Sequence, residues 1–305
     1  MYSLRSTRRE VLDTGRHEFA GSLGNDSIVL PHNRLSPSRL NERKVKIAIR
    51  CLGHFFLHQS PKSPAIPLKL KSRPTALLHL LIVAGPQGVE KNVAELNLWP
   101  QTQAALGNST LDTTLYRLRK LVGNEQSVRV TRGRIVLDDR CVSIDAWDFA
   151  TEAETLCTRL QSSANTLDGA AISGRCERLF DLYQGHFLAQ ELQARWVVQM
   201  RDALRFKFFH TIKLVAAYWQ TTGHWNRAAQ LYERALELDN LAEEFHRELM
   251  RCHLARHEFA DAVRVFRRCR ELLSLVLGVM PSDATEALYR QAFAGQAPQE
   301  FIRKV

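Results

Sequence analysis

Two stretches in the second half of the chain repeat each other at a fixed distance. Trp225, Ala228, Tyr232, Arg234 and Leu238 are matched in type by Phe259, Ala262, Phe266, Arg268 and Leu272, at a constant offset of 34 residues. An aromatic, a small residue and a second aromatic share one helix face in each copy. This period is the signature of stacked helix–turn–helix units, which bury their apolar faces only against one another. The second half is therefore expected to be an all-helical stack, with breaks at Gly185, Gly223, Asp239-Asn240, Gly278 and Pro281. Helices are expected at about 146–161, 173–183, 193–221, 225–238, 241–256, 259–277 and 283–294.

Charge separates this half from the first. The chain carries a net charge of +10, and residues 1–150 hold 22 Lys and Arg against 13 Asp and Glu. Nearly all the excess lies in the first half, as expected of a domain that faces a polyanion. Residues 1–43 are polar and aperiodic and read as a disordered arm. From Lys44 the chain alternates through Leu52, and Phe55–Leu57 continues the strand pattern. A short strand is expected at Leu68–Leu70. Arg73-Pro74 opens a helix that ends at Gly85-Pro86. A second helix spans about Lys91–Leu98. A third starts after Gly107-Asn108-Ser109, carries Leu111, Leu115, Leu118 and Val122 at helical spacing, and ends at Gly123-Asn124. Val128–Val130 and Arg134–Leu137 flank Arg132-Gly133 as a hairpin. Cys141–Ile144 adds a last strand. Strands, three helices and a hairpin form an α+β winged helix-turn-helix with an extra N-terminal sheet. The expected organisation is an arm (1–43), the winged helix (44–145), a helical repeat domain (146–294) and a tail (295–305).

The third helix is where such a fold places major-groove contacts. Off its leucine stripe stand Ser109, Thr110, Thr113, Thr114, Tyr116, Arg117, Arg119 and Lys120. The hairpin tip brings Arg129, Arg132 and Arg134, suited to the negative minor groove. Lys69, Lys71, Arg73, Arg119 and Lys120 are candidates for phosphate, Thr113, Thr114 and Arg117 for base edges, and Arg132 for the minor groove. The partner implied is double-stranded DNA.

Residues 44–149 resemble the winged helix of the OmpR/PhoB type. The match is carried by Leu111-Asp112-Thr113-Thr114-Leu115-Tyr116-Arg117-Leu118-Arg119-Lys120-Leu121 and by Val130-Thr131-Arg132-Gly133. Residues 146–292 resemble the bacterial transcriptional activator domain, a tetratricopeptide-like (TPR) module. Here the match rests on Leu182-Tyr183-Gln184-Gly185-His186-Phe187-Leu188, on Trp196 with Arg201, and on Leu277-Gly278-Val279-Met280-Pro281-Ser282 with Leu288-Tyr289. Leu98-Trp99-Pro100 also fits the combination, which is that of SARP-type regulators. The resemblance implies a sequence-specific transcription regulator, usually an activator, that binds direct repeats in promoters and contacts RNA polymerase. It places Arg117 in the major groove, makes Arg132 the wing arginine, and gives Asp112 a local role near the start of the third helix. Asn108-Ser109-Thr110, Thr113 and Thr114 depart from the family's usual types, so base preference does not carry over. Control by a phosphorylated receiver domain is not expected.

Other classes find less support. Helical histidines four apart, His253 and His257, can bind zinc, but ordinary surface histidines are the better reading and no metal is expected. Trp196, Trp219 and Trp225 with Phe206, Phe208 and Phe209 read as core before they read as an effector pocket. No nucleophile motif or phosphate-binding glycine loop occurs, so neither an enzyme nor a cofactor is expected. The six cysteines lack paired spacing and read as reduced, mostly buried thiols in the cytoplasm; a DNA partner would place the chain at the nucleoid. No stretch is apolar enough to span a membrane. Whether the repeats serve self-association as a homodimer or polymerase contact stays open. An alternative is an adaptor whose winged helix binds protein rather than DNA.

Overall fold

The computed structural model describes residues 47–60, 63–68, 72–100, 107–162, 168–191 and 194–296. The expected arm, and the candidates Lys69 and Lys71, lie outside them. The first half opens with strands β1 (Ile47–Arg50), β2 (Phe56–His58) and β3 (Ile66–Pro67). Helix α1 (Arg73–Ala84) follows, N-capped by Ser72, whose hydroxyl accepts from the Thr75 amide. A two-residue strand, β4 (Val89–Glu90), leads directly into α2 (Lys91–Leu98). Next come α3 (Gly107–Val122), β5 (Val128–Thr131), β6 (Arg134–Leu137) and β7 (Val142–Ile144).

Two sheets result. One is ordered β3-β2-β1-β7, with β7 parallel to β1, and the other β4-β6-β5 is antiparallel throughout. The winged-helix arrangement read from the sequence is present. Two local readings need correction. A strand lies just before the one expected at Leu68–Leu70, where Ile66 pairs with Leu57; residues 69 and 70 of the expected strand lie outside the described residues. Strand β4 gave no sequence signal, because two residues cannot show a period.

The second half contains α4 (Asp145–Ser162), α5 (Gly169–Leu182), α6 (Arg195–Thr221), α7 (Trp225–Leu238), α8 (Glu243–Ala255), α9 (Phe259–Leu272) and α10 (Asp283–Gln296). Its tetratricopeptide-like packing follows the repeat: Ala228 and Ala262 are fully buried, and Tyr232 and Phe266 nearly so. The small residue lets neighbouring helices approach, and the aromatic fills the space beside it. The helix expected at 259–277 ends five residues early, and Leu273–Leu277 forms one π-helical turn.

The halves are not beads on a string. One hydrophobic core runs from Ile47 through α1, α3 and α4 to Cys252 on α8. At the seam, β7 passes straight into α4 through Asp145, which is 3% exposed. Its carboxylate accepts from the Cys51 amide at 2.9 Å, the Leu52 amide at 3.1 Å, the Cys51 thiol at 2.9 Å and the Ala146 amide at 2.8 Å. Beside it the Leu188 amide donates to Cys51 O at 2.9 Å and Gly53 N to His186 O at 3.1 Å. That approach requires glycine. A Cβ on Gly53, at φ 93°, would stand 2.7 Å from Gln184 O. Arg201 pins the same loop by donating to Phe187 O at 2.8 Å, Leu188 O at 2.5 Å and Glu191 O at 2.6 Å. The run 182–188 and Arg201 that stood out in the sequence are therefore the docking loop and its clasp.

Two outcomes follow from this packing. Asp145→Ala leaves the buried amides of Cys51, Leu52 and Ala146 without this acceptor and should cost about 3 kcal/mol or more. In urea denaturation the wild type should unfold in one transition seen alike by probes in both halves; separate transitions would contradict the shared core. His79, buried on α1 against the Phe55 ring at 4.7 Å, has its pKa lowered by burial to about 4. The unfolded chain thus takes up this proton first, near pH 6.5. Stability should fall as pH drops from 6.5 towards 4, and His79→Phe should flatten that part of a pH–stability curve.

Candidate nucleic-acid interface

Helix α3 is two-faced for a simple reason. Leu111, Leu115, Leu118 and Val122 recur at helical spacing and are each buried to within 2% exposure. They hold the helix against α1. The remaining positions are left to solvent: Thr110, Asp112, Thr113, Tyr116, Arg117 and Lys120 are all exposed. Tyr116 is 62% exposed. Gly123 ends the helix at φ 80°, donating back to Arg119 O at 2.9 Å.

The wing is built by register. Thr131 pairs with Arg134, which leaves a two-residue loop of Arg132 and Gly133. Both have positive φ, 51° and 76°. This is the geometry of a type I′ turn, which favours Asn or Gly at its first position. Arginine there holds a left-handed conformation that bulky side chains avoid. Arg132 is nevertheless exposed, with no partner among the described residues.

The other candidate cations divide sharply from Arg117, Lys120 and Arg132. Arg119 donates from Nε to Val128 O at 2.9 Å and ties α3 to β5. Arg129 lies 2.7 Å from Asp138, whose other bonds come from Arg140 at 3.1 Å. Burial acts to raise the pKa of Asp138; the Arg140 hydrogen bonds and the Arg129 charge outweigh it and hold the carboxyl below its ordinary value. Arg134 donates to Gln87 O at 3.1 Å, Gly88 O at 3.0 Å and Glu90 at 3.0 Å, fastening β4 to β6. Arg73 reaches Leu98 O at 2.5 Å and lies over the Trp99 ring, joining the ends of α1 and α2. These four arginines build the scaffold.

Thr114 is a correction to the sequence reading. It is 5% exposed, and its hydroxyl donates to Thr110 O at 2.9 Å, so it cannot meet a base edge. Position 114 lies three from Leu111 and four from Leu118, on the apolar stripe, and that spacing was a signal available in the sequence. Asp112, as its local role implied, lies 3.5 Å from Lys91 at the start of α2. The side chain of Ser109 lies outside the described residues. The arrangement can present two cations, a phenol and two threonines along one rod, with a third cation on an adjoining loop.

Away from this face, His253 is a second correction. It is 8% exposed, not a surface residue, and its Nδ1 lies 2.9 Å from Glu258. Helix α8 ends at Ala255, and His257 turns away in the left-handed region, so the pair does not share a helix face. Arg256 and Arg264 already occupy the carboxylates of Glu258 and Asp261. Phe208 and Trp219 are core, while Phe206 is 74% exposed and stacks on His210. All six cysteines are free thiols. No helix among the described residues is long and apolar enough to cross a membrane.

Comparison with known proteins identifies the second half of the chain. Residues 144–292 match the model of the bacterial transcriptional activator domain. The second half is that domain. Preceded by the winged helix, it gives the chain the SARP-type arrangement of a transcriptional regulator. Among solved structures, the fold is similar to that of Mycobacterium tuberculosis EmbR in complex with a low-affinity phosphopeptide. The TM-score is 0.57 at 15% sequence identity, over 85% of this chain and 67% of that one. No curated protein sequence matches the chain. The activator-domain segment begins at Ile144, the residue before Asp145, so the family boundary coincides with the seam.

Because the Thr114 hydroxyl is spent inside the helix, Thr114→Val should leave affinity for any duplex within about twofold of wild type and cost about 1 kcal/mol or less in stability. Parallel fluorescence anisotropy and thermal melts check both.

Proposed function

We propose that this regulator reads promoter DNA with α3 in the major groove and the β5–β6 hairpin at the minor groove. The observation that carries the reading is the division among the cations. Arg73, Arg119, Arg129 and Arg134 are consumed by internal contacts, whereas Arg117, Lys120 and Arg132 stand in solvent without a partner among the described residues. A solvated arginine in a strained turn is costly for a fold and useful to a phosphate-lined groove.

Roles follow from chemistry. Arg117, in the middle of the exposed rod, can fork onto guanine O6 and N7. Thr110, Thr113 and Tyr116 flank it with hydroxyls. Lys120, one turn further along, suits phosphate. Arg132 fits a narrow minor groove, and Lys69 and Lys71 remain candidates for phosphate. The helical domain then serves as the contact module, for self-association or RNA polymerase, and activation is the expected outcome on direct repeats.

Arg117→Ala should weaken binding to the promoter site by about 1–3 kcal/mol and binding to random duplex far less. Lys120→Ala should weaken both alike. Gel shifts on paired promoter and scrambled fragments separate these; equal loss on both for Arg117→Ala would remove it from base reading.

A further inference from the structure

Helix α6 has a core side and a second face with its own chemistry. Val197, Met200, Leu204, Phe208, Ile212 and Val215 are fully buried on the core side. Asp202, Phe206, Phe209 and Lys213 recur at spacings of four, three and four on the other side, with Arg205 and His210 beside them. Together with Glu244 of α8 they line a cavity of about 260 Å³. That volume lies at the small end for ligand sites and suits a molecule of about one ring.

The two cations of the lining are already committed. Arg205 donates from Nε to Asp239 at 2.6 Å, and its guanidinium lies over the Phe209 ring at 4.6 Å. Phe209 stacks in turn on Phe245, with ring centroids 4.2 Å apart. Lys213 Nζ lies 2.6 Å from Glu244 and ties α6 to α8. Two features are left over. Asp202 is an exposed carboxylate with no partner among the described residues. One turn further along, Phe206 is 74% exposed, more than any other aromatic side chain among the described residues. It lies nearly parallel to His210, at 9° with centroids 6.2 Å apart.

An open aromatic face and an unpaired carboxylate one helical turn apart suit one class of ligand. The ring face attracts positive charge, and the carboxylate accepts from N–H donors arranged as a fork. A flat cation satisfies both at once. An anion would meet Asp202 as a like charge while the lining cations are held elsewhere. The chain as a whole carries +10, so an organic cation needs a local negative site of this kind.

We infer that this cavity binds a small, flat organic cation of the amidinium or guanidinium class, with its N–H fork on Asp202 and its plane on Phe206. The inference does not depend on the winged helix meeting DNA. The cavity is also joined to the seam between the halves. Asp239, which Arg205 holds, lies 4.0 Å from His186 Nε2, and His186 O accepts from the Gly53 amide. A ligand that binds only the folded chain therefore stabilises both halves together.

Calorimetric titration of the full chain with benzamidine, an aromatic amidinium, tests this. Saturable binding is expected, with a Kd of roughly 0.1 to a few millimolar for so small a ligand. Benzoate and benzyl alcohol keep the ring without the positive charge and should bind about tenfold more weakly or worse. Asp202→Asn should weaken benzamidine about tenfold, and Phe206→Ala about threefold to tenfold. Asp202→Glu should keep most of the affinity. Phe293→Ala, which removes an exposed ring on α10, should change nothing. Benzamidine should raise the melting temperature of the wild type and leave that of Asp202→Asn where it was. Both substituted side chains are exposed, so the variants should melt like the wild type without ligand. Agmatine and an end-blocked Gly-Arg-Gly peptide separate a free molecule from an arginine of a protein partner. Agmatine should bind the more tightly; tighter binding of the peptide would overturn the assignment to a free molecule. Absence of saturable binding at about 10 mM benzamidine, equal binding of benzoate, or an Asp202→Asn variant that binds like the wild type overturns the inference altogether.

Discussion

The Asp145 carboxylate, sealed between the two halves, sets the geometry of everything else. It sits at the point where β7 becomes α4 and accepts from the backbone amides of Cys51 and Leu52, just past β1, and of Ala146. A buried carboxylate is tolerable only when donors surround it. Apart from Ala146, those donors are supplied by residues 51 and 52, almost a hundred positions away, so the site exists only when the end of β1 and the start of α4 meet. The glycine contact at Gly53 and Gly185, and the Arg201 clasp, close the same seam from the other side. A winged helix is often pictured as a tethered module. Here it shares a core with the helical domain, and whatever binds one half meets a body continuous with the other.

That rigidity clarifies which charges are available for function. A basic sequence overstates its interface when arginine also serves as mortar. Arginine's planar fork suits the capping of carbonyls and the bracing of strand edges, as Arg134 and Arg201 illustrate. Of the candidate cations among the described residues, those left outward are a short row on α3 and one arginine on a strained turn. Few residues then carry the affinity, and each is exposed to direct test by substitution.

Much of the fold was legible in the sequence because its signals are periodic. The 34-residue repeat marked the stacked helices, and the leucine stripe marked α3 and its solvent face. Paired residues of positive φ at 132 and 133 were foreshadowed by the glycine between two strand-like runs. The losses have physical causes. Strand β4 is too short to show alternation, and without it Arg134 reads as a free cation when Glu90 lies across from it. Thr114 was read by its hydroxyl when its position placed it on the buried stripe. His253 was read by its spacing to His257, although α8 ends between them. Spacing along a helix carries meaning only as far as the helix runs. Residues 275–277 read as the end of a helix broken at Gly278, and only burial shows that the run 275–280 faces outward.

The central claim is that the outward face of α3 and the wing lie along a duplex. The salt dependence of wild-type affinity for a promoter fragment tests it most directly, because each neutralised phosphate releases counterions. Contacts from Lys120, Arg132 and flanking lysines predict a linear fall of log K with log salt, with a slope of roughly −3 or steeper. A slope near zero would show that this cationic face does not meet nucleic acid, and the reading of the winged helix as a DNA reader would fail.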